Sequence, residues 1–504
     1  MNPDALVIGA GPNGLFAACR LARAGRRVLL LEARDRPGGA LWDEPRTEPG
    51  FKHDVGAGFI TFRDSEAFRA LDLESRGLRW ALGAVESAHP ALDGTCPVIS
   101  RDIDRSIASF GTDGRAWRRL QRFHARIEPR LLEFLAPFPR VGPALRMNPL
   151  DGLRLAFYFA HSSGGLSRTL FRTQAARRVI PAMGLHVDIG PFDIFGAPIA
   201  YVLAMRASTG GYAVPVGGAS VITKLLVEDL VAHGGSLQLS SPVARIRVRE
   251  GASVGVTLEN GDEIDVDGPI VANTSAPALY LHLLGKEHIP PRIVSMMHRF
   301  PMGWGTFKVD YSLDGPVPWE AEACRDAAVV HIGESNDDLH RFTQTVRKGL
   351  LPEQPYLVVG QHTLVDPSRA PSGKHTLYVY THAPSHLDPI RYPGGWPTWR
   401  ERLADVVTNR IEWLAPGFTR LVRKRRIADP EDLERMDANL IGGDLGGGSN
   451  QWWRQLVFRP VFPWFRYATP VDRVYLGSSY THPGAGVHGM CGWNAAGIAL
   501  EDHA

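Results

Sequence analysis

The chain has 504 residues, more than a single hydrophobic core usually organises, so its length predicts two domains or an interleaved pair. A hydrophobic fraction of 44% with 22% charged residues is typical of ordinary globular proteins. Because 56 Lys and Arg residues balance 53 Asp and Glu residues, the composition gives no support to nucleic-acid binding, and we expect no nucleic-acid partner.

The cysteines indicate a reducing compartment. Cys19, Cys96, Cys324 and Cys491 are far apart in the sequence and form neither a CxxC pair nor a metal-ligand spacing, so we predict no metal site. The sequence shows no signal peptide and no apolar run of about 18 residues that would span a membrane. We therefore expect a cytoplasmic protein, with any membrane contact made from the surface.

The N-terminal segment has the pattern of a dinucleotide-binding site. An apolar run at residues 5–8 precedes a GxGxxG segment, a helical stretch to residue 23 and a second apolar run that ends at Glu32. Glycines allow a tight turn and a close approach of the backbone to a pyrophosphate at the helix N-terminus, and the acidic residue binds a ribose hydroxyl. The predicted contacts of this strand-helix-strand unit are Gly9, Gly11, Pro12, Asn13, Gly14 and Glu32.

The residues after this unit indicate which dinucleotide binds. Residues 32–39 form an EARxxxGG pattern that resembles the FAD-binding signature of the glutathione reductase-like flavoproteins. The resemblance implies that residues 51–58 lie beside the flavin ring, although an ordinary hairpin turn is the alternative interpretation of Asp54. It adds these expected FAD contacts: Ala33, Arg34, Gly38, Gly39, Ala40, Gly56 and Ala57.

The middle of the chain predicts a return to the same domain. Apolar residues at helical spacing in 221–231 are followed by alternating strands with a hairpin signal at Asn260-Gly261. This arrangement is usual in such flavoproteins, and we expect Val243, on the first of these strands, to contact FAD. The prediction is an α/β fold in which a glutathione reductase-like (Rossmann) FAD-binding domain is interleaved with an α+β substrate domain.

The predicted boundaries divide the chain into five segments. We assign residues 1–85, 206–275 and 431–504 to the FAD-binding domain, residues 86–205 to a mostly helical part of the substrate domain, and residues 276–430 to a mixed-sheet part. Helices are expected at 117–136 and 150–160, strands at 306–313 and 376–381, and a flexible loop at 442–448. Five aromatic residues either line an apolar tunnel or pack in the core: Phe157, Tyr158, Phe159, Phe192 and Phe195.

Residues 474–489 are the most specific segment. A strand leads into THPGAGV, which resembles the C-terminal signature of bacterial carotenoid desaturases, with a helix expected from about Val487 beneath the flavin. Together with the N-terminal motif and the central return, the resemblance covers the whole chain. It identifies a phytoene desaturase-like FAD-dependent oxidoreductase, related to phytoene dehydrogenase-like proteins and all-trans-retinol saturase. Further FAD contacts are implied at Ser478, Ser479, Gly486 and Val487, where the two serines replace the Gly-Asp of many relatives.

The resemblance implies redox chemistry with non-covalent FAD. The leading hypothesis is desaturation, or another redox change, of a C–C bond in a small apolar or amphipathic substrate by hydride transfer to flavin N5. Because the sequence contains no second nucleotide-binding fold of the strand-GxGxxG-helix type, dioxygen or a quinone is the expected electron acceptor. A flavin amine oxidase and a non-catalytic flavoprotein scaffold remain alternatives. His482 and His488 are candidate catalytic residues, for which structural roles beside the cofactor are the alternative.

Aromatic and basic residues near the C-terminus suggest a peripheral membrane contact. Such a mixture suits the interface between lipid and water, although the same residues can simply cover the substrate domain. The aromatic and apolar residues concerned are Trp452, Trp453, Val457, Phe458, Val461, Phe462, Trp464 and Phe465, interleaved with Arg454, Arg459 and Arg466.

Overall fold

The computed structural model describes residues 2–135, 142 and 146–503. In chain order its strands are β1 Ala5–Ile8, β2 Val28–Leu31, β3 Asp43–Glu44, β4 His53–Asp54, β5 Trp80–Ala81, β6 Val85–Ala88, β7 Val98–Ile99, β8 Val214–Pro215, β9 Ser236–Gln238, β10 Val243–Arg249, β11 Ala252–Leu258, β12 Glu263–Asp265, β13 Ile270–Ala272, β14 Gly305–Leu313, β15 Ala327–Ile332, β16 Leu357–Gly360, β17 His375–Ala383, β18 Val422–Ala428 and β19 Val474–Leu476.

The described helices are numbered in the same way. They are α1 Pro12–Arg23, α2 Glu66–Leu71, α3 Ile103–Ser109, α4 Gly114–Leu135, α5 Pro149–Phe159, α6 Ser163–Leu170, α7 Gln174–Gly184, α8 Ala197–Thr209, α9 Ser220–Ala232, α10 Ala276–Ala278, α11 Pro291–His298, α12 Asn336–Arg347, α13 His362–Val365, α14 Gly395–Glu412, α15 Phe418–Leu421, α16 Pro430–Met436 and α17 Met490–Asp502, with a π-helical turn at Leu279–Leu283.

A five-stranded parallel sheet, in the order β19-β13-β1-β2-β9, forms the first layer. Its central strand β1 is buried along its whole length, and helix α1 packs beside it against α9 and α17. Strands β10, β11 and β12 form a separate antiparallel meander, whose hairpin turns at Gly261 with φ +91°. The predicted α/β class with a Rossmann sheet is therefore confirmed.

A seven-stranded mixed sheet, in the order β18-β14-β17-β16-β15-β6-β7, forms the second body of the fold. One face packs on α14 through Trp396, Leu403 and Val407, and the other packs on the helical segment that includes α4, α7 and α8. Strands β6 and β7 come from the stretch before the first of these helices and complete one edge. The five segment boundaries given above stay predictions.

Most expected elements lie where their periodicity places them, but the glycine-rich loop does not behave as expected. Residue 136, the end of one expected helix, lies outside the described residues. Residues 446–448 are buried rather than loose, because the Asp444 carboxylate accepts hydrogen bonds from the backbone N–H groups of Gly303, Gly446 and Gly448. Arg459 also donates to the Gly446 and Gly447 carbonyls, at 2.9 and 2.8 Å. The expectation of a flexible loop at 442–448 is therefore wrong.

Two cysteines that are distant in the sequence lie close together in the fold. The sulfur atoms of Cys96 and Cys324 are 3.6 Å apart, and both residues are free thiols.

Across the described residues, no helix combines the length and apolarity needed to cross a membrane.

Candidate cofactor and substrate site

A cavity of about 1500 Å³ lies between the parallel sheet and the mixed sheet. Ligand pockets commonly measure about 300–1,000 Å³, so this cavity has room for a large cofactor and a second molecule. Most of the predicted site residues line it. They are Gly9, Gly11, Pro12, Asn13, Glu32, Ala33, Arg34, Gly39, Ala40, Gly56, Ala57, Val243, Ser478, Ser479, His482, Gly486, Val487 and His488.

The two remaining predicted glycines shape the wall from behind. A Cβ on Gly14 would come within 1.9 Å of the Gly9 carbonyl oxygen, so helix α1 can approach the glycine turn only without a side chain there. Gly38 has φ +121° and donates its N–H to the Ala10 carbonyl at 2.8 Å. Both glycines therefore allow the turns that form this wall, and their contact with FAD stays a prediction.

Glu32 follows directly after β2, at the carboxyl end of the parallel sheet. Its carboxylate accepts hydrogen bonds from the Ala10 N–H at 2.7 Å and the Arg34 N–H at 3.0 Å. Burial raises the pKa of Glu32, and these two bonds act in the opposite direction. A carboxylate has about four acceptor positions, so lone pairs remain for a ribose hydroxyl on the cavity side.

A buried polar atom without a partner also fits a bound cofactor. The Asn13 Oδ1 has no hydrogen-bond partner among the described residues, yet Asn13 lines the cavity beside the glycine turn. Buried polar atoms are rarely left unpaired in folded proteins, so a ligand with a donor group is expected there. The glycine turn, the ribose-side carboxylate and this atom together fit FAD.

The C-terminal segment differs from the expectation in one respect. Helix α17 begins at Met490, not near Val487, because Gly489 with φ +70° and the preceding bends interrupt the chain. The Met490 N–H is taken by His488 Nδ1 at 3.0 Å. The helix still starts at the cavity, since Met490 lines it, but its first N–H is not free for a flavin.

The two candidate catalytic histidines are buried. His482 donates from Nε2 to the Leu135 carbonyl at 2.6 Å, which joins the C-terminal segment to the end of α4. Burial lowers the pKa of His488 to about 4, so this ring is neutral near neutral pH. The catalytic roles of both residues stay predictions.

Beyond the FAD segments the cavity continues along the mixed sheet. Of the five aromatic candidates, Phe159 and Phe195 line it, and Phe157 instead faces solvent. This part of the wall also contains two polar residues that were not predicted from the sequence, His186 and Tyr380. The available signal was the alternation of β17, which puts Tyr378, Tyr380 and His382 on one face. The apolar residues there include Phe59, Val202, Leu203, Tyr212, Val329 and Val358.

Comparison with known proteins agrees with this geometry. The family described as "Flavin containing amine oxidoreductase" matches residues 154–414, and an NAD(P)-binding Rossmann-like domain matches residues 7–72. The chain is 28% identical to pyridine nucleotide-disulfide oxidoreductase domain-containing protein 2 of Rattus norvegicus, over 99% of this chain and 93% of the rat protein. It is 24% identical to the neurosporene-forming phytoene desaturase of Cereibacter sphaeroides, over 97% of this chain and 92% of the desaturase.

A solved structure shows the same fold. The cyclohexylamine oxidase of Brevibacterium oxydans superposes with a TM-score of 0.59 at 17% identity, with complete coverage of both chains. The family resemblance, the fold, the cofactor and the enzyme class predicted from the sequence are confirmed: the protein is a phytoene desaturase-like, FAD-dependent oxidoreductase with non-covalent FAD. Since the matched region spans more than half of its length, the chain belongs to the flavin-containing amine oxidoreductase family.

Proposed function

We propose that the protein desaturates, or otherwise changes the redox state of, a C–C bond in a small apolar or amphipathic molecule. The observation that carries this proposal is the continuation of the cavity, past the FAD segments, into a chamber with mainly apolar walls. Bound FAD supplies a two-electron acceptor for a hydride at N5. The space beyond the cofactor segments argues against a purely structural role for the flavin.

The walls of the chamber bind an apolar substrate and exclude water from it. Apolar surface gains about 25 cal/mol per Å² when it leaves water, so Phe59, Val202 and Leu203 favour a hydrocarbon chain over a polar one. Helix α17 begins at the cavity with Met490, so its positive dipole end lies next to the C-terminal FAD segment. That end favours negative charge that develops nearby during a redox step.

Amine oxidation is the second candidate, because the family and the solved cyclohexylamine oxidase share this fold. Two carboxylates that line the cavity away from the dinucleotide end already pair with arginines: Asp64 with Arg206 at 2.5 Å, and Glu133 with Arg130 at 3.0 Å. A third, Glu66, accepts from the neutral Trp493 indole N–H at 3.1 Å and keeps its charge. Because two of these three carboxylates are already neutralised, an alkylammonium substrate has few counter-ions there, which favours the first candidate.

Anaerobic mixing of the FAD-loaded protein with candidate substrates tests the proposal. Loss of the oxidised-flavin absorbance is the readout, with isoprenoid hydrocarbons and alcohols in one series and primary alkylamines of matched length in the other. We expect reduction by members of the first series alone. Reduction by the amines alone would establish amine oxidation instead. Repeating the fast members with dioxygen or a soluble quinone then tests the proposed electron acceptors.

We also propose a peripheral membrane contact at the cavity wall. Trp452, Trp453, Phe458 and Phe462 are exposed, and Trp452 also lines the cavity with its aromatic neighbour Phe195. Val461 is buried and does not belong to this surface. Flotation with anionic liposomes at low salt should carry the protein upward, and Phe458→Ser with Phe462→Ser should weaken this. Failure of the unmodified protein to float would remove the proposal.

A further inference from the structure

A row of hydrogen-bonded side chains runs from the chamber into the mixed sheet. At the chamber, the Tyr380 hydroxyl lies 2.6 Å from His186 Nδ1. His186, in the turn after α7, brings its Nε2 to 2.9 Å from Nε2 of His331 on β15. Tyr380 and His186 line the cavity, whereas His331 is buried behind them.

The row continues across two more side chains. His331 Nδ1 lies 2.7 Å from the Ser87 hydroxyl on β6, and the same hydroxyl lies 2.9 Å from His89 Nε2. Ser87 and His89 are both buried. Every step has hydrogen-bond length, so the five side chains form one continuous chain that we call the Tyr380 chain.

The Tyr380 chain is electrically neutral. Burial lowers the pKa of His186 to about 4 and that of His89 to about 3, and it lowers the pKa of His331 well below its usual value. Burial also raises the pKa of Tyr380. Each neutral imidazole then has one N–H donor and one acceptor nitrogen, and the protons can be ordered in either direction along the chain.

Either direction leaves Tyr380 with unused capacity at the chamber. If the protons point towards the chamber, His186 donates to Tyr380, and the phenolic O–H remains to donate to a ligand. If they point away, Tyr380 donates to His186, and its oxygen remains to accept. Two nearby tyrosines already use their O–H as donors, Tyr378 to the Gly56 carbonyl at 2.6 Å and Tyr212 to the Met183 sulfur at 3.3 Å, so neither can donate to a ligand without losing that bond.

The apolar residues around the Tyr380 hydroxyl make its free hydrogen-bonding capacity selective for a ligand with a polar group at that point. On β16, Val358 lies opposite Tyr380 in the register, and Val329 of β15 lines the same wall. A few convergent polar groups in an apolar pocket fix the orientation of a ligand. A hydrocarbon placed against Tyr380 would cover its hydroxyl without replacing the hydrogen bond to water.

We propose that the Tyr380 chain is a binding subsite for one hydroxyl or carbonyl oxygen at an end of an otherwise apolar substrate. The inference rests on the proposed function and narrows its substrate to oxygen-bearing lipids, such as isoprenoid alcohols and ketones. Tyr380 is the specificity-determining residue, and His186 with His331 are positioning residues that act through it.

Equilibrium binding to the FAD-loaded protein tests the subsite. The probes are geranylgeraniol and the hydrocarbon with the same skeleton and double bonds but no hydroxyl, with the flavin spectrum and tryptophan fluorescence as readouts. We expect the alcohol to bind about tenfold more tightly, the size of one net hydrogen bond. Tyr380→Phe should abolish this preference. Tyr212→Phe, which removes a committed hydroxyl from the same wall, should keep it.

A second variant separates the subsite from a general loss of structure. His331→Gln leaves Tyr380 in place but breaks the chain behind it, and we expect a reduced preference for the alcohol with unchanged hydrocarbon affinity. Equal affinities in the unmodified protein, absence of binding by both probes, or a preference that survives Tyr380→Phe would each overturn the proposal. Discrimination without anaerobic flavin reduction by any compound would instead remove the proposed chemistry and keep the subsite.

Discussion

Replacement of Glu32 by Ala is expected to weaken FAD binding by about 10- to 150-fold. The estimate follows from one hydrogen bond to a charged group, about 1.5–3 kcal/mol, at 1.4 kcal/mol for each tenfold change. The same change removes the hydrogen-bond acceptor of two backbone N–H groups, those of Ala10 and Arg34, which donate to the Glu32 carboxylate at 2.7 and 3.0 Å. An unpaired buried donor costs about 1–3 kcal/mol, and Ala10 is fully buried, so the ligand-free protein should also lose stability.

The two effects separate in the assay. Apoprotein is titrated with FAD by fluorescence quenching, and its unfolding free energy is measured in urea. Glu32→Gln keeps one acceptor oxygen and should lie between the unmodified protein and Glu32→Ala. Glu259→Ala is the control, because Glu259 lines the same cavity but is exposed. Unchanged FAD affinity in Glu32→Ala, or an equal loss in Glu259→Ala, would refute the ribose assignment. Release of FMN on denaturation would refute the assignment of FAD as the cofactor.

Three further outcomes are expected. Gly486 has φ +118°, which a β-branched residue does not readily adopt, so Gly486→Val should lower the flavin content or the flavin reduction potential. His482→Ala and His488→Ala should retain FAD. The flavin-to-protein ratio and the reduction potential measure these outcomes. NADH and NADPH should reduce the flavin slowly, and fast bleaching in stopped flow would contradict the single nucleotide motif. His89 has a pKa near 3 in the folded protein against about 6.5 unfolded, so the unfolded chain binds more protons between these values. The unfolding free energy should then fall as the pH drops below 6.5, by up to about 5 kcal/mol from this residue. His89→Asn should reduce the slope of the unfolding free energy, measured in urea, between pH 7 and pH 5.

The nucleotide-binding end was predictable because its determinants are local. A strand, a glycine turn, a helix and an acidic residue follow each other within one short stretch, and the positions of Gly14 and Glu32 require little knowledge of the rest of the chain. The start of α17 was missed because Gly489 and the His488 ring, rather than apolar periodicity, set it.

The Tyr380 chain could not be predicted in the same way. Ser87, His186 and His331 meet only because β6 pairs with β15 and because α7 ends above that sheet. Single histidines spread through a sequence carry no signal of such a meeting. The buried Asp444–Gly446 turn was misjudged for a similar reason, since Gly303, from a distant segment, supplies one of its donors.

Cofactor affinity and substrate selectivity are therefore expected to respond to different residues. Glu32 acts at the carboxyl end of the parallel sheet and Tyr380 on the face of the mixed sheet, and no group within the described part of the chain hydrogen-bonds to both side chains. Effects at independent sites add within about 0.5 kcal/mol, so Glu32→Ala with Tyr380→Phe should show the FAD affinity of the first change and the probe preference of the second. Tyr378→Phe should behave differently. Its hydroxyl holds the Gly56 carbonyl at 2.6 Å, beside the predicted flavin position, so its loss should alter FAD affinity and probe binding together. Strong non-additivity between Glu32 and Tyr380, with none involving Tyr378, would mean that the coupling between the sheets runs by another route.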